Sequence, residues 1–151
     1  MPPSNAGEGK DYSGTPLPRK LGIREGSRVT LIGAPRGFSL YPMPRGAVVG
    51  PRLRVDLDVA VLFVTRRADL ERRFADLVRG LAPDGRLWVA WPKKASGMET
   101  DLTFEFVQRH GLGAGLVDNK SASIDEVFQG LQFVIRVADR PDGDGRRVSG
   151  R

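Results

Sequence analysis

The run Asp58-Val59-Ala60-Val61-Leu62-Phe63-Val64-Thr65 constrains this chain more than any other segment. Its interior is apolar without a break, so neither side suits water. A strand of that pattern must be covered on both faces, as a central parallel strand is. A parallel neighbour needs a crossover, and the next segment supplies one. Leu70, Phe74, Leu77, Val78 and Leu81 recur at helical spacing, with Asp69, Arg72, Arg73, Asp76 and Arg79 on the other side. Asp69 and Arg73 add an i,i+4 pair. Pro83-Asp84-Gly85 ends that helix, and Arg86-Leu87-Trp88-Val89-Ala90-Trp91 follows as a second central strand. Strand, helix, strand predicts an α/β fold in three layers, with a mostly parallel sheet and right-handed crossovers.

The flanking segments fill in the plan. Pro16 to Leu21 reads as a short helical turn stopped by Gly22. Arg28 to Ile32 is a short β-branched strand, followed by a break at Gly33-Ala34-Pro35-Arg36-Gly37. Phe38 to Met43 is predicted as one weak helical turn, limited by Pro42 and Pro44. Ala47 to Val55 is a poor strand interrupted at Gly50-Pro51, which suits a sheet edge. Thr100 is placed to cap a helix with Leu102 and Phe106 facing inward and Gly111 at its end. Leu116–Ser121 and Leu131–Val137 read as two last strands, a C-terminal antiparallel hairpin around the turn at Ser123 to Gly130. The expected sheet has five to six strands. A single domain is expected over residues 12–138, with disordered tails at 1–11 and 139–151.

Composition narrows the classes of function. With 151 residues, the chain suits one domain. Cysteine is absent, which excludes disulfides, thiolate metal sites and cysteine nucleophiles, and fits a reducing compartment. No apolar run approaches the ~20 residues of a membrane span, and the first ten residues hold no signal-like stretch. A cytoplasmic location without membrane contact is the expectation. The net charge of +6 is spread out rather than focused. Residues 28–58 hold five basic and two acidic side chains, whereas 92–138 hold five and six. A nucleic-acid footprint would be a concentrated stripe with interleaved aromatics, so nucleic acid is not the expected partner.

Two resemblances follow from particular residues. Asp58 to Val64, the amphipathic helix, and Leu81-Ala82-Pro83-Asp84-Gly85-Arg86-Leu87-Trp88-Val89 are similar to a passage of class I methyltransferase-like Rossmann proteins. The passages Tyr12-Ser13-Gly14-Thr15-Pro16-Leu17, Leu87-Trp88-Val89-Ala90-Trp91-Pro92-Lys93-Lys94-Ala95-Ser96-Gly97 and Leu116-Val117-Asp118-Asn119-Lys120 resemble a family of small bacterial proteins that carries only a domain-of-unknown-function label. The first resemblance implies a methyltransferase-like fold and an S-adenosylmethionine site. That site wants an acidic residue and a glycine run after the first strand, and a carboxylate after the second. Here the first position reads Gly33-Ala34-Pro35-Arg36-Gly37 and the second is the broken Ala47–Val55 stretch. The fold is therefore expected in a degenerate form, and S-adenosylmethionine is not the expected cofactor.

The loop Lys93-Lys94-Ala95-Ser96-Gly97 is the leading candidate site. It follows a central strand at the end where open α/β sheets bind ligands. Two ammonium groups, a hydroxyl and a glycine ahead of a helix suit a small anion. The competing reading is a solvated loop. Trp91 is expected as a wall of the site, Thr65, Gly33 and Ala34 as the neighbouring strand ends, and Tyr12 as part of a covering segment with Ser13-Gly14-Thr15. His110 is read as structural, in the last helical turn. Ser96 with Lys93 forms a formal Ser–Lys pair but lacks an identifiable oxyanion hole. Asp118, Asp125 and Glu126 are read as solvated, and no metal is expected.

The functional expectation is a binding module rather than an enzyme, taking a small anionic ligand or a protein partner. The alternative is an atypical S-adenosylmethionine-dependent transferase. A homo-oligomer formed through the Ala47–Val55 edge is a further expectation.

Overall fold

In the computed structural model, which describes residues 15–140, the chain runs through nine main elements. These are α1 (Leu17–Leu21), β1 (Arg28–Ile32), β2 (Val48–Val49), β3 (Leu57–Phe63), α2 (Arg67–Gly80), β4 (Leu81–Pro92), α3 (Phe104–Gly113), β5 (Leu116–Ser123) and β6 (Phe128–Ile135). Tyr12 and the tail 1–11 lie outside the described residues, as does most of the tail 139–151. Among the described residues no helix is long and apolar enough to cross a membrane.

The six strands form one sheet in the order β2-β1-β3-β4-β6-β5. The first four are mutually parallel, and β6 runs antiparallel to both β4 and β5. From β1 the chain goes outward to β2, then crosses back to β3 on the other side of β1. That reversal makes the β1/β3 junction a topological switch point, the mark of a Rossmann-like sheet. The mostly parallel sheet and the antiparallel hairpin are the arrangement expected from the sequence.

Two cores sandwich the sheet. On one face, Leu70, Phe74 and Leu77 of α2 and Val107 of α3 pack on Ala60, Leu62, Val89, Leu131 and Phe133. On the other, α1 and an irregular stretch supply Leu21, Ile23 and Leu40 against Val59, Val61, Phe63 and Trp88. Val59 to Val64 thus alternates between the two cores, which is why no position of that run is polar. Trp88 is fully buried, and its indole N–H donates to Leu21 O at 3.0 Å, tying α1 to β4.

Several boundaries differ from the sequence reading. Phe38 to Met43 forms no helix. Its apolar side chains, Phe38 and Leu40, reach the core singly, with Phe38 edge-on to Phe63 at 5.0 Å. Leu81 is the first residue of β4 rather than the last of α2, and the strand runs on through Pro83-Asp84-Gly85. Those turn residues sit where the β3/β4 register shifts, so they form an irregularity inside a strand instead of a loop. The helix near residue 100 is capped by Thr103, whose hydroxyl accepts from Phe106 N at 3.0 Å. Thr100 is diverted: its hydroxyl donates to Thr65 O at 2.7 Å. Gly111 lies inside α3, not at its end, and its bare Cα admits the Phe133 ring.

Candidate functional site

Strand β4 crosses the sheet and delivers Trp91 and Pro92 at its carboxyl end. The chain then turns sharply. Lys93 N donates to Val127 O at 2.7 Å, anchoring the start of the loop to the β5–β6 turn. The Ser96 hydroxyl donates to Lys93 O at 2.7 Å and accepts from Met98 N at 3.1 Å, and Gly97 takes φ +75° to close the turn. Residues 98–103 return extended toward α3.

This path leaves a groove of about 690 Å³. Trp91 and Gln129 come to it from the middle of the sheet, Ser121 to Ser123 from β5, Thr103 and Phe104 from the start of α3, and Lys93 and Lys94 from the loop. Trp91 is only 2% exposed, so it is a wall rather than a free stacking platform. Phe104, 45% exposed, lies tilted against it with ring centroids 6.3 Å apart. Lys93 Nζ donates to Ser123 Oγ at 2.8 Å, so one ammonium is held between the ends of β4 and β5. Among the described residues lining the groove there is no aspartate or glutamate. The two lysines therefore set its charge, and the positive end of the α3 dipole adds to them.

The sequence candidates divide into two places. Trp91, Lys93 and Lys94 line the groove. Ser96 and Gly97 do not; they build the turn that presents the lysines. Gly33, Ala34 and Thr65 stand apart, after β1 and β3. Gly33 has φ +75°, and a Cβ there would meet Phe63 O at 2.7 Å, so this glycine serves the close approach of two backbone segments. Thr65 O is taken by the Thr100 hydroxyl. The Ser96–Lys93 pair does not form, since Ser96 bonds the Lys93 backbone and the Lys93 ammonium turns to Ser123.

Other titratable candidates serve structure. His110 packs edge-on to Phe74 at 4.9 Å and parallel to Phe106 at 6.3 Å. Asp118 Oδ2 accepts from Gln108 Nε2 at 3.0 Å. Asp125 Oδ1 accepts from Val127 N and Phe128 N, shaping the β5–β6 turn. Among the described residues no three His, Cys, Asp or Glu side chains gather as a metal site.

Sequence reasoning missed the hairpin half of the groove, Ser121, Ser123 and Gln129, and it missed Asp101. The carboxylate of Asp101 accepts Arg67 N at 2.7 Å, while Arg67 Nε donates to Asp101 O at 2.7 Å. The amino end of α2 is thus served by an anion from the chain itself.

The residues after β1 are Gly33, Ala34 and Pro35, and those after β2 are Gly50 and Pro51. Neither stretch holds a carboxylate.

No protein-family model and no curated protein matches the chain. Among solved structures, the chain is similar to a fibrillarin pre-rRNA processing protein of Methanococcus jannaschii, with a TM-score of 0.47 and 11% identity over 80% of this chain and 68% of that one. It is also similar to TrmN from Thermus thermophilus, at 0.45 and 13% over 79% of this chain and 47% of that one. The chain spans about half of TrmN's length.

Proposed function

We propose that this Rossmann-like domain is a binding module whose groove at the carboxyl end of β4 takes a small anion with a flat apolar part. The observation that carries this reading is the groove's lining, which among the described residues has Lys93 and Lys94 and no acidic side chain. Lys93, fixed by Ser123, offers its remaining ammonium protons to the anion, and Lys94 adds a second charge from the rim. Trp91 and Phe104 supply an apolar wall for the rest of the ligand.

Thermal shift against nucleoside monophosphates and aromatic carboxylates tests the proposal, because a ligand of the native state alone raises its stability. Stabilisation by an aromatic anion that disappears in Lys93→Ala/Lys94→Ala is the expected result. An unchanged response in that variant, or no response to any anion, overturns it. Stabilisation by S-adenosylmethionine or S-adenosylhomocysteine that survives the double substitution would instead support the transferase reading.

A further inference from the structure

A second polar pocket, of about 280 Å³, lies at the opposite end of the sheet, where β1 and β3 begin. Arg24, Ser27, Asp58, Asp84, Arg86 and Arg140 line it, together with Gly22. Among the described residues of the lining, three are arginines and two are aspartates. Asp58 Oδ2 already accepts from Arg28 N at 2.9 Å. Ser27 Oγ accepts from the Arg24 backbone N at 2.9 Å, and Arg140 Nε donates to Ile135 O at 3.0 Å, so the fold orients the Arg140 side chain.

Arg86 sets the character of the pocket. It belongs to β4, between Val59 of β3 and Val134 of β6, and is half-buried. Its side chain lies against Gly22, where an added Cβ would come within 2.8 Å of Arg86 Cδ and Nη1. Gly22 thus serves two ends. Its φ of +90° terminates α1, and its bare Cα gives the guanidinium a place to lie. Yet the Arg86 side chain makes no hydrogen bond or ion pair among the described residues. A guanidinium carries five donors and does not lose its proton. A guanidinium laid against the fold with its donors open to a pocket is suited to bidentate contact with an oxyanion.

We propose that this pocket binds a small oxyanion group, phosphoryl or carboxylate, with Arg86 as its bidentate ligand and Arg24 and Arg140 as flanking cations. The site is independent of the groove at the other end of the sheet. The arginine Nε–Hε resonances of the full chain test it, titrated with inorganic phosphate and, separately, with succinate against chloride at matched ionic strength. One such resonance should shift saturably and be missing from Arg86→Met. Affinity for the better anion should fall at least tenfold in Arg86→Met and hold in Lys93→Ala/Lys94→Ala. Whichever anion binds tighter identifies the group as phosphoryl or carboxylate. No saturable shift with either anion, or equal binding by Arg86→Met, overturns the proposal. A loss confined to the Lys93/Lys94 variant also overturns it, since that would put the anion in the groove. If Arg86→Met fails to fold, the wild-type titration decides alone.

Discussion

The Asp101 carboxylate accepts the backbone N–H of Arg67 at 2.7 Å, across 34 residues of sequence. The N-cap residue of α2, Arg66, makes no side-chain cap of its own. Asp101 therefore does the work of a capping residue from a distance, and it ties the segment after the lysine loop to the helix after β3. Asp101→Ala should lower stability by about 1–2 kcal/mol, the usual size of a lost cap. Asp101→Asn keeps an acceptor and loses the charge, so it should cost less. A urea midpoint that falls for Ala and less for Asn, at constant m-value, is the expected pattern.

Gly111 gives a prediction whose sign is the test. Inside an ordinary helix, Gly→Ala stabilises by about 1 kcal/mol. In α3 a methyl group at that place would overlap the Phe133 ring, which is fully buried. Gly111→Ala should therefore destabilise, by roughly 1–3 kcal/mol. Adding Phe133→Leu should cost less than the sum of the two single changes, because the smaller side chain relieves the overlap. Thermal unfolding of the four proteins measures the coupling.

What the sequence revealed, and what it hid, follows from the range of the contacts involved. β1 was legible to its last residue, and β3 and α2 nearly so, because each is specified by its own pattern of apolar side chains. The start of α3 was misplaced by three residues. Thr100 and Thr103 are both good caps, and only the distant Thr65 carbonyl decides between them. Phe38 and Leu40 looked helical in isolation, but an irregular chain lets each reach its own gap in the core. The groove was half legible. Trp91, Lys93 and Lys94 follow a recognisable strand. Ser121, Ser123 and Gln129 reach the groove through the antiparallel register of β4, β6 and β5, which no local pattern announces.

Trp88 joins two elements through one hydrogen bond, from its indole N–H to Leu21 O, in a fully buried setting. Trp88→Phe removes the donor, strands a buried carbonyl and leaves a void. Together these should cost about 2–4 kcal/mol. Because Leu21 is the last residue of α1, the loss should show first as faster exchange of the Lys20, Gly22 and Ile23 amides, which bond Pro16 O, Arg19 O and Pro18 O. Equal protection of those amides in the variant would mean that α1 is held by its apolar contacts alone.

Gln132 is the counterexample to a satisfied core. It is 1% exposed, on β6 between Trp88 and Lys120, and its Nε2 has no hydrogen-bond partner among the described residues. A buried donor without a partner costs about 1–3 kcal/mol. Methionine has a similar length, can follow the same path and carries no donor. Gln132→Met should accordingly stabilise the domain by about 1 kcal/mol, whereas Gln132→Glu, which buries a charge in the same place, should destabilise it strongly. Chemical denaturation of both variants provides the check. A destabilised Gln132→Met would show that the amide has a partner in solution.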